Sequence, residues 1–353
     1  MAFLEIENLH KQFGGLTAVS NFNLNVEKGE FISLLGSSGC GKTTALRMVA
    51  GFERPSAGTI RLAGKEITNS PPNQRNIGMV FQSYALFPNM TVADNIGFGL
   101  KIRKQAGTTS QKRVQELLEL VKLPDKGKSY PYQLSGGQQQ RIALVRALAI
   151  EPQVLLLDEP LSALDAKIRV DLRAEIRRIQ QQLNMTTIYV THDQEEALSL
   201  SDRIVVMNKG VIEQVGTPFA IYNYPTSAFT ASFVGQLNVL PVQVVDGING
   251  RCSLHNQPLT VSQPIQAANQ TTVSLALRPE ELRLGHQDGE NNLTGTVESA
   301  DFLGAIVRVR LQISNASLMA DLFNERQMTV PKTGETITVS FPSHACWILE
   351  TTS

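Results

Sequence analysis

The stretch GSSGCGKTT, residues Gly36 to Thr44, decides the fold of this chain. It follows the apolar run FISLL and precedes ALRMVAGF, which has the composition of a helix. A glycine-rich loop in this setting turns backbone N–H groups toward an anion, and the N-terminus of the helix adds partial positive charge. The pattern Gly-x-x-x-x-Gly-Lys-Thr therefore predicts a P-loop that binds nucleotide phosphates.

We expect the whole loop to contribute to this phosphate site. Lys42 would reach the outer phosphates, and the Thr43 hydroxyl would ligate Mg²⁺. A glycine-rich turn that contains lysine by chance is the alternative, and the flanking strand and helix argue against it. The predicted nucleotide contacts in the loop are Gly36, Ser37, Ser38, Gly39, Cys40, Gly41, Lys42, Thr43 and Thr44.

Hydrolysis requires groups beyond the loop, and two acids end the apolar run VLLLDEP. Asp158 is suited to hold Mg²⁺, and Glu159 is suited to accept a proton from the attacking water. Solvated charge at the entrance of a loop is the alternative interpretation. With a P-loop upstream in the same chain, the two acids indicate a nucleoside triphosphatase.

Two further polar side chains follow apolar strands. Gln82 comes after IGMVF and His192 lies in TIYVTH. In a parallel sheet both would emerge at the edge where the P-loop lies, which is where ligands of open α/β sheets bind. Gln82 would orient water and touch Mg²⁺, and His192 would contact the γ-phosphate. Taken singly, each is more often a strand-end cap or a packed histidine, but their joint placement favours a shared site.

Composition narrows the class of protein. The 353 residues exceed what a single core usually organises, and 42% of them are apolar. The 32 basic and 32 acidic residues cancel, which argues against a general nucleic-acid binder. Three separated cysteines indicate a reducing compartment. We find no apolar run of about 18 residues and no secretory layout in MAFLEIENLH, so we expect a cytoplasmic chain.

The pattern along the chain changes near residues 235 to 240. Before this point, five short apolar runs alternate with helix-length segments, which predicts a parallel sheet covered on both faces. After it, alternating runs such as TVSLALRP and AIVRVRLQI predict a small antiparallel barrel. One helical face is predicted from the spacing of Leu172, Ile176, Ile179 and Leu183.

The segment LSGGQQQR, Leu134 to Arg141, predicts a second anion-binding turn. Ser135, Gly136 and Gly137 stand at the start of the helical segment IALVRALAI, where backbone N–H groups are free to bind a phosphate. One nucleotide does not need two such turns from one chain. A head-to-tail pair of chains, in which each turn faces the nucleotide of the other chain, would use both.

At this segment the sequence resembles a known family. GSSGCGKT, VFQSYALFP, LSGGQQQR, LLLDEPLSALD and VTHDQEEAL occur in this order, as in the ATP-binding subunits of ATP-binding cassette (ABC) importers. The resemblance implies an α/β P-loop domain over residues 1–235, with a helical subdomain at about 83–150. Residues 236–353, with LALRPEEL and ADFLG, resemble the all-β OB/TOBE-like barrel domain of such importers.

The resemblance also implies roles for individual residues. Glu159 would be the catalytic base, assisted by His192, Gln82 and Lys42, and Mg²⁺ would be held by Thr43, Gln82 and Asp158. Phe13 in KQFGG would stack on adenine, where many relatives have tyrosine. The residues that would face the partner chain are Ser135, Gly136, Gly137, Gln138 and Asp165.

The implied partners are a second copy of this chain or a homologous ATPase subunit, membrane permease subunits and, indirectly, a solute-binding protein. The chain would lie at the cytoplasmic face of the inner membrane without spanning it and would bind no nucleic acid. The wording of the motifs ranks polyamine or ferric iron first as the solute, with sugar, sulfate or phosphonate as alternatives. A soluble ABC ATPase acting on DNA or ribosomes is the competing class.

Two features leave alternatives open. Tyr84, Phe87 and Met90 are suited either to a groove that receives a permease helix or to the core of the helical subdomain. The tail serves either to steady a dimer or to sense a regulatory signal. A metal site in it would draw on Cys252, His255, His344 and Cys346, but buried packing explains these residues more simply.

Overall fold

The computed structural model describes residues 2–104, 107–326 and 328–349. Residues 1, 105–106, 327 and 350–353 lie outside this description, although the predicted domain ranges include them. The chain forms two compact units that divide between Tyr224 and Pro225. The sequence-based boundary at residue 235 stays a prediction.

The first unit alternates strands and helices along the described chain. Its strands are β1 (Leu4–Phe13), β2 (Leu16–Val26), β3 (Phe31–Gly36), β4 (Ala57–Leu62), β5 (Lys65–Glu66), β6 (Ile77–Val80), β7 (Val154–Asp158), β8 (Thr186–Thr191), β9 (Arg203–Asn208) and β10 (Val211–Gly216). Its helices are α1 (Lys42–Ala50), α2 (Val92–Ile102), α3 (Thr108–Leu120), α4 (Gly136–Leu148), α5 (Ala166–Gln182), α6 (Gln194–Leu200) and α7 (Pro218–Asn223).

A mainly parallel sheet in the order β10-β9-β3-β8-β7-β6 organises this unit. β9, β3, β8, β7 and β6 pair in parallel, and β10 joins β9 antiparallel. These five parallel strands are the five apolar runs of the sequence, so the predicted α/β architecture is confirmed. Because parallel strands end at the same edge, the loops that follow β3, β6, β7 and β8 meet there.

Successive residues of the central strands pack into two different cores. Tyr189 of β8 is fully buried in one cluster, together with side chains of the helices α2, α4 and α5. Its neighbours Ile188 and Val190 belong to the other cluster, which α1 and β1 help to form. Side chains alternate between the faces of a strand, so a strand between two cores is apolar at every position.

A second sheet in the order β2-β1-β4-β5 is antiparallel. Its first pair is irregular, with register shifts between Ile6 and Leu9 and again before Lys11. None of these four strands is predicted from the sequence. Alternating exposed and buried positions, interrupted by bulges, make them less visible than the continuous apolar runs of the parallel sheet.

The three side chains proposed for a permease groove, all in the segment after Gln82, lie in different environments. Tyr84 is buried in the core with α2 and α4, whereas Phe87 is 37% exposed. Phe87 packs on Phe98 with the ring centroids 4.6 Å apart. Met90 lines an open cavity between α2 and α3. Tyr84 therefore packs in the core, whereas Phe87 and Met90 reach the surface.

The predicted buried face of α5 is correct for Leu172, Ile176 and Ile179, each at most 2% exposed. Leu183 is 37% exposed, so this part of the prediction is wrong. The reason is that Leu183 lies just beyond the last turn of the helix, as its C-cap. A helical period no longer sets the direction of its side chain there.

The second unit is almost entirely antiparallel β-structure. It begins with α8 (Ala228–Phe233), which the strands follow. The strands are β11 (Asn238–Asp246), β12 (Arg251–Leu254), β13 (Gln257–Thr260), β14 (Thr272–Leu277), β15 (Arg283–Leu284), β16 (Asn291–Phe302), β17 (Ile306–Ile313), β18 (Ala316–Phe323), β19 (Thr336–Phe341) and β20 (Cys346–Ile348). They form two sheets, ordered β13-β12-β11-β14-β20 and β15-β19-β16-β17-β18.

Both sheets of this unit pack on one hydrophobic cluster, as the predicted small β-domain requires. Cys252 and Cys346 lie in this cluster, and burial raises the pKa of their thiols to about 11 and about 12. Such thiols stay protonated near neutral pH and behave as apolar side chains. Among the described residues, no group of three or more His, Cys, Asp and Glu side chains has an arrangement for a metal ion.

None of the helices within residues 2–104, 107–326 and 328–349 is long and apolar enough to cross a membrane.

Candidate functional site

The P-loop connects β3 to α1, as its sequence predicts. Ser37, Ser38 and Gly39 are exposed, so the crest of the loop is open to solvent. Lys42 is the first residue of α1 and is 4% exposed. Its Nζ donates hydrogen bonds to the carbonyls of Gly36 and Ser37, at 2.7 and 2.9 Å. The ammonium group therefore lies under the loop that it is expected to serve.

Two glycines allow the loop to pack closely against the rest of the unit. A Cβ on Gly36 would lie 2.4 Å from the Met207 carbonyl oxygen. A Cβ on Gly41 would lie 2.4 Å from the Ala18 carbonyl oxygen, and φ at Gly41 is +103°. Both contacts are with backbone, which cannot move aside cheaply, so the loop requires glycine at these positions.

A side-chain hydrogen bond joins α1 to the end of β7. The Thr43 hydroxyl donates a hydrogen bond to Asp158 Oδ1 at 3.1 Å. Burial raises the pKa of the Asp158 carboxyl above its usual range, and the negative charge of Glu159 adds to this rise. The bond from Thr43 and the positive charges of Arg47 and Lys42 lower the same pKa without cancelling the rise.

Glu159 lies where three strands end and contacts both of the polar residues predicted at this edge. Its Oε2 is 3.2 Å from His192 Nδ1 and 3.4 Å from Gln82 Nε2, the latter a long hydrogen bond. The Glu159 backbone is left-handed, with φ at 44°. The joint placement of Gln82, Glu159 and His192 is the arrangement expected of a shared site rather than of separate strand-end caps.

These residues surround an open cavity of about 550 Å³. The His192 side chain is 54% exposed and that of Glu159 is 20% exposed, so solvent and a ligand have access to both. The lining consists of Arg47, Phe81, Gln82, Ser83, Asp158, Glu159, Ser162, Ala163 and His192. The carboxylates of Asp158 and Glu159, the amide of Gln82 and the imidazole of His192 thus face one space.

The LSGGQ turn lies elsewhere in this unit and does not line the cavity. Ser135 caps α4: its Oγ accepts from Gln138 N at 3.4 Å, and Gln138 Oε1 accepts from Ser135 N at 3.0 Å. Ser135 and Gly136 are exposed, whereas Gly137 is buried. This capping box satisfies the N–H groups of Ser135 and Gln138 at the start of α4.

The LSGGQ turn packs against the segment that contains Asp165. A Cβ on Gly136 would lie 3.1 Å from Leu164 Cδ2, and one on Gly137 would lie 3.0 Å from Ile168 Cγ2. Asp165 is exposed, and its Oδ1 accepts from Ile168 N at 3.0 Å as the N-cap of α5. The structure thus groups most of the residues predicted to face a partner.

Phe13 is the remaining predicted ligand residue. It ends β1 and is 45% exposed. Lys11 Nζ lies 4.6 Å from the centroid of its ring, within the range of a cation–π contact. Phe13 does not line the cavity around Glu159, so its proposed contact with adenine stays a prediction.

Sequence reasoning overlooked two supporting residues. Ser162 donates to the Glu159 carbonyl at 3.0 Å and accepts from Gln82 Nε2 at 3.3 Å. Asn95 is fully buried and bonds the segment after Gln82, accepting from Phe87 N at 2.8 Å and donating to the Met90 carbonyl at 3.2 Å. A usable signal existed for Asn95, which lies in the apolar stripe of α2 and, as a buried amide, requires partners.

The domain models and curated relatives agree with this geometry. Residues 19–162 match the ABC transporter model, and residues 275–349 match the TOBE domain model. A sulfate/thiosulfate import ATP-binding protein of Chromobacterium violaceum is 48% identical, covering 96% of this chain and 93% of its own. A spermidine/putrescine import ATP-binding protein of Thermobifida fusca is 50% identical, covering 82% and 77%.

A third relative, an Fe(3+) ions import ATP-binding protein of Brucella abortus, is 47% identical, with 88% of each chain covered. Among solved structures, a dimeric ATP-binding cassette bound to ADP and Pi is 32% identical. Its TM-score is 0.55, over 61% of this chain and 98% of that chain. By these similarities and the site described above, this chain belongs to the ABC transporter family, as an ATP-binding and ATP-hydrolysing importer subunit with a C-terminal TOBE domain.

Proposed function

We propose that Glu159 is the general base for ATP hydrolysis and that Gln82 and His192 complete its site. The observation that carries this proposal is the convergence of Gln82 and His192 on the same oxygen of Glu159, at 3.4 and 3.2 Å. A carboxylate accepts the proton of the attacking water, while the amide and the imidazole hold water and the γ-phosphate in line. Lys42 neutralises charge on the outer phosphates.

Mg²⁺ is the second part of the proposal. Mg²⁺ prefers oxygen ligands, and the Thr43 hydroxyl and the Asp158 carboxylate are adjacent oxygens, 3.1 Å apart. The residues present therefore fit the ion, with Gln82 as the third proposed contact. When bound, Mg²⁺ would neutralise charge on the phosphates during hydrolysis. A divalent ion would also compensate the buried carboxylate of Asp158.

The proposed working unit is a head-to-tail pair of this chain with a second copy or a homologous subunit. In this arrangement Ser135, Gly137 and Gln138 of one chain close over the nucleotide at the P-loop of the other. Two observations support it: the LSGGQ turn does not line the cavity at Glu159, and exposed Asp165 lies beside that turn. Each chain then supplies half of two sites, with Phe13 stacked on adenine.

Permease subunits are the proposed membrane partners, at the cytoplasmic face. The open cavity between α2 and α3, of about 1050 Å³, presents Met90, Phe98 and Val114 among polar side chains. A cavity lined by both apolar and polar side chains suits a short helix of a permease. For the solute, which a binding protein would deliver, we propose a polyamine or ferric iron, the cargo named for two of the relatives; sulfate, named for the third, is the alternative.

The test replaces the proposed base. Glu159→Gln keeps the size and hydrogen bonds of the side chain but cannot accept a proton, so steady-state phosphate release should fall roughly 100-fold or more. The same variant should form a dimer with MgATP that size-exclusion chromatography resolves from the monomer. Glu151→Gln, at a side chain that is 75% exposed, is the matched control. Undiminished turnover in Glu159→Gln would refute the assignment.

The solute is tested separately by purifying the permease pair with this chain and reconstituting it in vesicles. ATP hydrolysis should rise when the binding protein carries spermidine or Fe³⁺. Stimulation by sulfate alone would replace the proposed solute and leave the role of Glu159 intact.

A further inference from the structure

α5 is attached to the segment around α6 by three arginines at four-residue spacing. Arg169 pairs with Asp193 at 2.9 Å, Arg173 pairs with Glu195 at 3.3 Å, and Arg177 pairs with Asp202. Residues four apart lie on one face of a helix, so the three pairs form a row. The first pair differs from the other two in where it lies and in what else it touches.

Arg169 bridges two turns that the proposed function uses separately. Its Nη1 donates to Asp193 Oδ2 at 2.9 Å, and its Nη2 donates to the Leu164 carbonyl at 3.2 Å. Leu164 precedes Asp165, the proposed contact with the partner chain, and Asp193 follows His192. The Arg169 guanidinium therefore links the residue before Asp165 to the residue after His192.

The turn that carries His192 is fixed on both sides. Before it, the Thr191 hydroxyl donates to buried Glu196 at 2.6 Å and accepts from Asp193 N at 2.9 Å. After it, Asp193 Oδ1 accepts from Glu196 N at 3.2 Å. A displacement of Asp193 would therefore shift the backbone on which His192 stands. The other carboxylate oxygen of Asp193, Oδ2, accepts the hydrogen bond from Arg169, so this contact also restrains the turn.

We propose that Arg169 is a positioning residue that couples the partner contact at Asp165 to the placement of His192 against Glu159. This inference rests on the proposed function of His192 and of the paired chains. Contact of a partner with Asp165 sets the position of the Leu164 carbonyl, and Arg169 transmits that position to Asp193. A partner in place would hold His192 at its 3.2 Å distance from Glu159, so that hydrolysis depends on pairing.

The geometry requires arginine. Its fork presents two N–H groups in fixed directions, one for a carbonyl and one for a carboxylate. Lysine presents one nitrogen, which cannot hold both acceptors in the same arrangement. Both side chains of the first pair are partly buried, with Arg169 29% and Asp193 22% exposed. In the second pair Arg173 is 12% exposed, but its partner Glu195 is 82% exposed to solvent.

The experiment compares Arg169→Gln with Arg173→Gln in the full chain. Both changes remove one ion pair between the same elements, but Arg173 does not reach the Leu164 carbonyl. We expect Arg169→Gln to lower kcat roughly 10- to 100-fold, with KM for ATP within about two-fold of the parent, because a displaced group costs rate rather than binding. Arg173→Gln should keep the parent kcat, and Arg169→Lys should not restore it.

A dimerisation assay separates coupling from general damage. The double variant Arg169→Gln with Glu159→Gln should still form the MgATP dimer. The single variant Arg169→Gln should not show the rise of specific ATPase activity with protein concentration that dimer formation produces in the parent. Asp193→Asn, which keeps the cap of α6, should reproduce the loss of kcat. The double variant Arg169→Gln with Asp193→Asn should be no slower than either single variant.

Equal kcat values for Arg169→Gln and Arg173→Gln would overturn the inference while leaving the proposed function standing. Loss of the MgATP dimer in Arg169→Gln would overturn it too, because the residue would then serve assembly. His192→Ala is the parallel measurement: parent-like kcat in that variant would remove the proposed role of His192 and, with it, the basis of the coupling.

Discussion

His192 Nδ1 lies 3.2 Å from Glu159 Oε2, across the ends of two neighbouring strands. We expect His192→Ala to lower kcat at least roughly 100-fold, because removal of the group proposed to position the γ-phosphate and the base would affect the transition state most. Phosphate release under saturating MgATP measures this effect. The control is His286→Ala, which removes another imidazole 3.2 Å from a carboxylate, that of Asp288. A comparable loss in both variants would contradict a specific role for His192.

Ser135 and Thr91 are both N-caps, which allows capping to be separated from phosphate binding. Thr91 accepts from Asp94 N at 3.1 Å and Ser135 accepts from Gln138 N at 3.4 Å. Thr91→Ala should lower the free energy of unfolding by about 1 kcal/mol, and Ser135→Ala by less. In the Glu159→Gln background, Ser135→Ala should weaken the MgATP dimer and Thr91→Ala should not. Denaturant melts and chromatography measure the two effects, and equal dimer loss would exclude a direct role for Ser135.

Asp158 has a raised pKa because of its burial, and this predicts a pH-dependent cost to stability. The folded chain binds this proton more tightly than the unfolded chain, so the favourable contribution is present at low pH and is lost as pH rises through the raised pKa. Asp158→Asn should therefore raise the melting temperature at pH 7.5, and the difference should shrink toward pH 4. Mg²⁺-dependent hydrolysis should be abolished.

Thermal melts across this pH range check the prediction. Asp125→Asn, at a side chain that is 73% exposed, should show no such trend. A lower melting temperature of Asp158→Asn at pH 7.5 would mean that the ionised carboxylate stabilises the fold.

Asn95 holds the segment that follows Gln82, and it is fully buried. Asn95→Ala would leave Phe87 N without its acceptor at 2.8 Å and should lower the free energy of unfolding by about 2 to 3 kcal/mol. Asn23→Ala removes an exposed amide with comparable backbone bonds and should change stability by less than about 0.5 kcal/mol. Urea denaturation compares the two variants, and similar losses would contradict the importance of burial.

The sequence predicts the parallel sheet well for a physical reason. Strands buried on both faces must be apolar at successive positions, so β7 and β8 are visible as continuous runs. The polar residues that follow such runs are then placed at one edge by topology alone. That reasoning brings Gln82, Glu159 and His192 together without any knowledge of distances.

Other parts of the fold leave weaker marks. β1 and β2 pair with register shifts, and neither shows a continuous apolar run. Ser162 bonds to Gln82, 80 residues away, and Arg169 bonds to Asp193, 24 residues away, and no local pattern encodes such partners. Leu183 shows the opposite error, because its spacing continued a helical period beyond the point where the helix ends.

The left-handed backbone at Glu159 has a consequence for how this chain can change by mutation. A side chain at φ of 44° costs about 1 to 2 kcal/mol relative to glycine. Glu159→Gly would relieve that cost and delete the carboxylate in a single step. Selection for thermal robustness alone would therefore drive this position toward an inert chain that still folds and binds nucleotide. Only selection for ATP turnover opposes that change, so stability and activity favour different residues at this one position.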